Sequence, residues 1–130
     1  MTDDEFLTAF EAVTFTRPEW THEAHVRMAR LYLLRFPPAD ALERVRSGIR
    51  KLNGQIGSPD GYHDTITVAF VRVIASRLVG GEPYDAFRDR NPDLFDRTLP
   101  AILRYYSKEH LYTPAARREF VPPDREPLPG

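Results

Sequence analysis

Proline is the residue that most constrains the fold of this chain. The 130 residues include 12 prolines, and most of them lie between apolar segments rather than within them. Because proline lacks a backbone N–H and clashes with the preceding turn, it starts a helix, ends one or interrupts one. Between the prolines, apolar side chains recur at three- and four-residue spacing, which is typical of amphipathic helices. The sequence therefore predicts an all-α protein, a single-domain bundle of about five to seven helices.

The predicted helices begin and end at recognisable residues. Thr21 is a good N-cap, Pro37 ends the helix that follows it, and Gly80 is a typical helix stop. The segments expected to be helical are 2–13, 21–36, 38–53, 62–79, 84–90, 91–103 (kinked or divided at Pro100), one turn after Ser107, and 114–120. Four of the last nine residues are proline, so a helical domain over residues 1–121 is expected to be followed by an extended Pro-rich tail over 122–130.

Composition excludes several classes of function. The chain has no cysteine, which excludes disulfides, thiol nucleophiles and Cys-ligated metals. The net charge of −1 argues against bulk attraction to nucleic acid or to an anionic membrane. No apolar run approaches the ~20 residues that span a bilayer, and the acidic N-terminus is unlike a signal peptide. We therefore expect a cytoplasmic protein with neither nucleic acid nor membrane as a partner.

Three histidines carry the functional prediction. His22 and His25 head the apolar face of the second predicted helix, and His63 heads that of the fourth. If consecutive helices are antiparallel, these two run in the same direction and the three imidazoles meet at one pole. A helix N-terminus and burial both disfavour imidazolium, so the rings are expected to be neutral, the form that binds metal. The sequence predicts a divalent transition metal (Zn, Fe, Mn or Ni) at this pole, bound by His22, His25 and His63.

Aromatic and basic side chains are expected at the same pole. The candidate catalytic residues are His63, Tyr105 and Arg104; the candidate substrate-binding residues are Trp20, Tyr62, Thr67 and Tyr106. Each also has a purely structural interpretation: a histidine bonded to a carbonyl, a tyrosine in the core, or an arginine in a surface ion pair. The His22–His25 spacing is one residue shorter than the H-E-x-x-H motif, so a metalloprotease is not expected.

Several blocks of the sequence together resemble a family of small, uncharacterised bacterial proteins. The blocks are Trp20–His25 (W-T-H-x-x-H), a looser match at Gly48–Leu52, Tyr62–Thr67 (Y-H-x-T-x-T), Arg104–Ser107 (R-Y-Y-S) and Ala116–Asp124 (A-R-x-x-F-V-x-P-D). The resemblance covers nearly the whole chain. It implies that the blocks belong together, and it implies no particular activity.

Three functions are left open by the sequence. The first is a metal-dependent enzyme acting on a small-molecule substrate at the three histidines. The second keeps the pocket without the metal and makes His63 or His25 a general base. The third is a non-catalytic small-molecule-binding or interaction module, whose tail docks on a partner subunit. Because Phe120, Val121 and Leu128 are apolar anchors, we expect the tail to pack on the domain or on a second copy in a homodimer.

Overall fold

The computed structural model describes all 130 residues and contains only helices and connecting segments. The α-helices are α1 (Asp3–Glu11), α2 (His22–Arg35), α3 (Pro38–Gln55), α4 (Asp64–Ser76), α5 (Tyr84–Arg90), α6 (Pro100–Leu103), α7 (Lys108–Leu111) and α8 (Pro114–Arg118). Two short 3-10 helices span Pro59–Gly61 and Pro92–Phe95. This architecture confirms the all-α prediction, with five of the eight α-helices seven residues or longer. None of the helices is both long enough and apolar enough to cross a membrane.

The chain divides into two compact units, Met1–Tyr62 and His63–Gly130. The first contains α1 to α3, and the second contains α4 to α8 with the residues that follow them. The expected tail, residues 122–130, forms no helix and belongs to the second unit.

The first unit is built on a pairwise packing of α1, α2 and α3. The Phe10 ring of α1 is 1% exposed and lies at its centre, with the rings of Trp20 and Tyr32 5.3 and 6.1 Å away. Gly48 of α3 faces this ring so closely that a Cβ there would lie 2.4 Å from two Phe10 ring atoms. The absence of a side chain at Gly48 therefore allows α3 to approach α1.

The second unit is organised around α4, which packs against α6 and α8. This helix begins at Asp64 rather than at the predicted Tyr62, because His63 is its N-cap. It ends at Ser76 rather than Val79. The segment predicted to be one helix over 91–103 is divided as expected: Pro92 begins a 3-10 helix and Pro100 begins α6.

Candidate functional site

His25 lies on the first turn of α2 with one ring nitrogen fixed. The helix begins at His22 because the Thr21 hydroxyl accepts the backbone N–H of Ala24 at 3.1 Å. His25 Nδ1 is 2.7 Å from the carbonyl oxygen of Thr21. Because a carbonyl only accepts, Nδ1 carries the proton and donates it, which leaves the lone pair on Nε2. Nε2 takes part in no hydrogen bond within the structure.

The His25 imidazole is neutral at neutral pH. Burial lowers its pKa to about 4, opposed by the hydrogen bond to Thr21 and reinforced by the neighbouring His22. His22 is the first residue of the same helix and is partly exposed. The two histidines therefore occupy one helical turn at i and i+3, as the sequence predicts.

Trp20 covers one face of the His25 ring. The two ring centroids are 3.7 Å apart and the planes are tilted by 28°. The indole Nε1–H donates to Oδ1 of Asn53 at 3.2 Å, and both side chains are buried. Trp20, a candidate substrate-binding residue on the sequence, is 8% exposed and belongs to the aromatic core of the first unit. Its role in binding a substrate stays a prediction.

His63 is placed very differently, because both of its nitrogens are engaged. Nδ1 accepts the backbone N–H of Ile66 at 3.1 Å and so caps α4. Nε2 is 2.8 Å from the carbonyl oxygen of Leu111 and must therefore carry the proton. The side chain is 7% exposed, and burial lowers its pKa. In this arrangement neither nitrogen offers a lone pair to a metal ion or a substrate proton.

The other candidate side chains make structural contacts. Tyr106 is fully buried and its hydroxyl donates to the Val121 carbonyl at 2.6 Å, and burial raises its pKa to about 12. Tyr105 is 6% exposed, with the Arg104 guanidinium 5.5 Å from its ring centre. Arg104 is exposed and pairs with Glu126 at 3.1 Å. Their catalytic and binding roles stay predictions.

Two more predicted substrate-binding residues also have partners of their own. The Thr67 hydroxyl donates to the backbone carbonyl of His63 at 2.8 Å, a bond within the first turn of α4. In the first unit, the Tyr62 ring lies 4.5 Å below the guanidinium of Arg50. Both side chains interact with other residues of the protein, so neither interaction by itself points to a ligand.

Hydrogen bonds join three of the sequence blocks in the second unit. The Thr65 hydroxyl donates to the Ala116 carbonyl at 2.7 Å and accepts the Val121 N–H at 3.1 Å. The Asp124 carboxylate accepts the backbone N–H and the hydroxyl of Ser107 at 2.8 and 2.6 Å. These bonds fasten the segment after α8 to the body of the unit. They give the blocks a structural role that sequence reasoning missed.

A cavity of about 540 Å³ lies against this fastened segment. Its charged lining residues are Arg72, Asp124, Arg125 and Glu126. Each of them already makes a hydrogen bond within the second unit. The cavity therefore offers space but no uncommitted polar group that would select a ligand.

No group of three or more His, Asp or Glu side chains in the structure could hold a metal ion as it stands. The shared three-histidine site stays a prediction. The hydrogen bonds of the two rings differ: Nε2 of His25 has no hydrogen-bond partner, whereas both nitrogens of His63 have one. Comparisons with known protein families, with curated proteins and with solved structures found no match. The resemblance to a family of small bacterial proteins likewise stays a prediction.

Proposed function

We propose that this protein is a small metal-dependent enzyme whose metal ion is held by His22 and His25 on the first turn of α2. The observation that carries the proposal is the state of His25: Nδ1–H donates to a main-chain carbonyl and Nε2 keeps its lone pair. Histidines that bind metals typically donate their other N–H to a carbonyl or a carboxylate, which fixes the tautomer and orients the ring. His25 has this arrangement, with Nδ1 bonded to the Thr21 carbonyl.

The spacing of the pair supports chelation with open coordination positions. Side chains at i and i+3 of a helix are neighbours, about 5–6 Å apart at their Cβ atoms. Two imidazoles leave room on a four- to six-coordinate ion for water and for a small-molecule substrate. Imidazole nitrogen suits zinc, iron and nickel better than manganese, so we place manganese last among the four metals.

The acidity of His25 favours metal binding over proton abstraction. With a pKa of about 4, the ring carries almost no proton that would compete with a metal ion at pH 7. The same low pKa makes it a weak general base, because efficient bases have pKa values near the working pH. His63 supports neither role, since both of its nitrogens hold structural hydrogen bonds. The metal-free acid–base alternative is therefore less well supported.

Metal affinity tests the site. Protein without a His-tag is titrated with Zn²⁺ in competition with a chromogenic chelator, next to the variants His22→Gln and His25→Gln. We expect one ion per chain and a loss of about 10-fold or more in affinity for each variant. His110→Gln is the matched control, because it also removes a histidine that is bonded to a main-chain carbonyl. Absence of binding by the parent, or equal binding by His25→Gln, contradicts the proposal.

Cobalt substitution tests the open coordination positions that an enzyme needs. Trp20 is the only tryptophan and contacts His25, so Co²⁺ bound at the pair should quench its fluorescence. Addition of azide should then change the visible spectrum of the bound Co²⁺, because a small anion enters an open position. A cobalt spectrum that is indifferent to azide would indicate a closed, structural metal rather than a catalytic one.

A further inference from the structure

The tryptophan in front of α2 is held by a contact from another helix. Its indole N–H reaches the amide oxygen of Asn53 on α3 at 3.2 Å, although the two residues are 33 positions apart. Asn53 is 7% exposed. Breaking this bond would leave a buried amide without a partner, which costs free energy. The indole N–H therefore stays directed at Asn53, and this fixes the plane of the indole.

The indole plane in turn fixes the imidazole. With centroids 3.7 Å apart, the indole covers one face of the His25 ring and prevents it from tilting toward that side. The carbonyl of Thr21 fixes the ring along its edge through Nδ1. Face and edge contacts together define the direction in which the Nε2 lone pair points.

We propose that Asn53, acting through Trp20, is a positioning residue that aims Nε2 of His25 at its ligand. This inference rests on the proposed metal site, and it assigns to Trp20 an orienting role in place of the substrate contact expected from the sequence. Contacts one shell beyond the ligands typically change metal affinity by about 10- to 100-fold. Trp20 is such a contact. Asn53 lies one contact further out, so we expect its effect at the lower end of this range.

The variant that tests the inference is Asn53→Leu, which keeps the side-chain volume and removes the acceptor. The chain offers a matched control in Asn91→Leu: Asn91 is also a buried asparagine, 3% exposed, and its amide bonds to the Phe87 carbonyl in the second unit. We expect Asn53→Leu to weaken Zn²⁺ binding by about 10-fold or more. Asn91→Leu should bind as the parent does. Circular dichroism confirms that each variant is folded, and Trp20→Phe, which keeps an aromatic face without the N–H, replaces Asn53→Leu if that variant unfolds.

A second measurement needs no metal. The Nδ1–H of His25 is hydrogen-bonded to Thr21, so its proton resonance should be protected from exchange with water. In metal-free Asn53→Leu we expect this protection to fall by about 10-fold or more, since a loosened ring opens its hydrogen bond more often. In Asn91→Leu it should be unchanged.

The two measurements separate the possible failures. Equal Zn²⁺ affinity of the parent and Asn53→Leu overturns the positioning role and leaves the metal site intact. If the parent binds no metal, the proposed function fails, and the metal-free exchange alone decides the positioning role. Lost protection in Asn53→Leu then supports it, and unchanged protection overturns it.

Discussion

The half-buried, neutral His25 ring predicts a specific pH dependence of stability. In the unfolded chain the imidazole titrates near 6.5, whereas in the folded protein its pKa is about 4. Between these two values the unfolded state binds more protons than the folded state does. The free energy of unfolding therefore falls as the pH decreases from about 6.5 to about 4, and His25 causes no further loss below that.

The size of this effect follows from the two pKa values. They differ by about 2.5 pH units, and each unit corresponds to about 1.4 kcal/mol, so complete titration lowers the free energy of unfolding by about 3.5 kcal/mol. About 3 kcal/mol of this is lost between pH 7 and pH 4, because at pH 4 the folded imidazole is only half protonated. That is a large part of the roughly 5–15 kcal/mol by which small domains are stable. Glutamine does not titrate, so His25→Gln should remove this part of the pH dependence.

Urea unfolding at several pH values between 4 and 7.5 measures the effect. Other groups also titrate in this range, and His63, whose pKa burial lowers as well, acts in the same direction. These groups are present in both the parent and His25→Gln. The difference between the two proteins in the pH dependence of the free energy of unfolding therefore isolates the effect of His25. If the parent and His25→Gln lose stability in parallel from pH 7 to pH 4, the pKa of His25 is not lowered in the folded protein.

Three further predictions concern stability. His63→Ala should lower the free energy of unfolding by about 2–4 kcal/mol, because α4 loses its N-cap and a buried carbonyl of α7 loses its donor; urea unfolding measures it. Gly48→Ala should destabilise by about 1 kcal/mol, since overpacking against Phe10 outweighs the better helix propensity of alanine; thermal unfolding gives the sign. Asp124→Ala should lower the melting temperature by removing two hydrogen bonds to Ser107, and scanning calorimetry detects the change.

Each of these has its own control. His63→Asn restores a side chain that caps helices well and should recover about 1 kcal/mol of the loss; equal stability of the parent and His63→Ala would refute the capping role. Combining Gly48→Ala with Phe10→Leu should cost less than the two single changes together, because they share one contact. A more stable Gly48→Ala would contradict the close packing described for α3. An Asp124→Asn variant as stable as the parent would show that the carboxylate is not needed.

Helix boundaries were predictable where local chemistry sets them. Thr21 caps α2 and Pro37 follows its end, so the bounds of α2 agree with the prediction within a residue. The start of α4 was misjudged because His63, an unusual N-cap, replaces the Ser, Thr, Asp or Asn expected there. The predicted stop at Asn53 also failed: α3 continues to Gln55, while the Asn53 side chain bonds to Trp20 far along the chain.

The features of the candidate site were likewise predictable only where they depend on residues close in the sequence. The lowered pKa of His25 was predictable, because a position on the apolar face of a helix removes part of the ring from water. The sequence could not predict that both nitrogens of His63 form hydrogen bonds, since one of the partners, the Leu111 carbonyl, is 48 residues away. The fastening of Asp124 to Ser107 was also missed, although both residues lie within the sequence blocks. Spacing within a helix reveals neighbours on that helix, whereas hydrogen bonds between distant segments depend on the packed structure.

Nitrogen-15 NMR of the imidazole rings is the most direct test of the claim that Nε2 of His25 is the free, metal-binding nitrogen. Without metal, the two-bond proton–nitrogen spectrum should show His25 protonated at Nδ1 and His63 protonated at Nε2. On addition of Zn²⁺, the Nε2 resonance of His25 should shift strongly and the pattern of His63 should stay the same. A His25 ring that does not respond to Zn²⁺, or a His63 ring that does, would contradict the account.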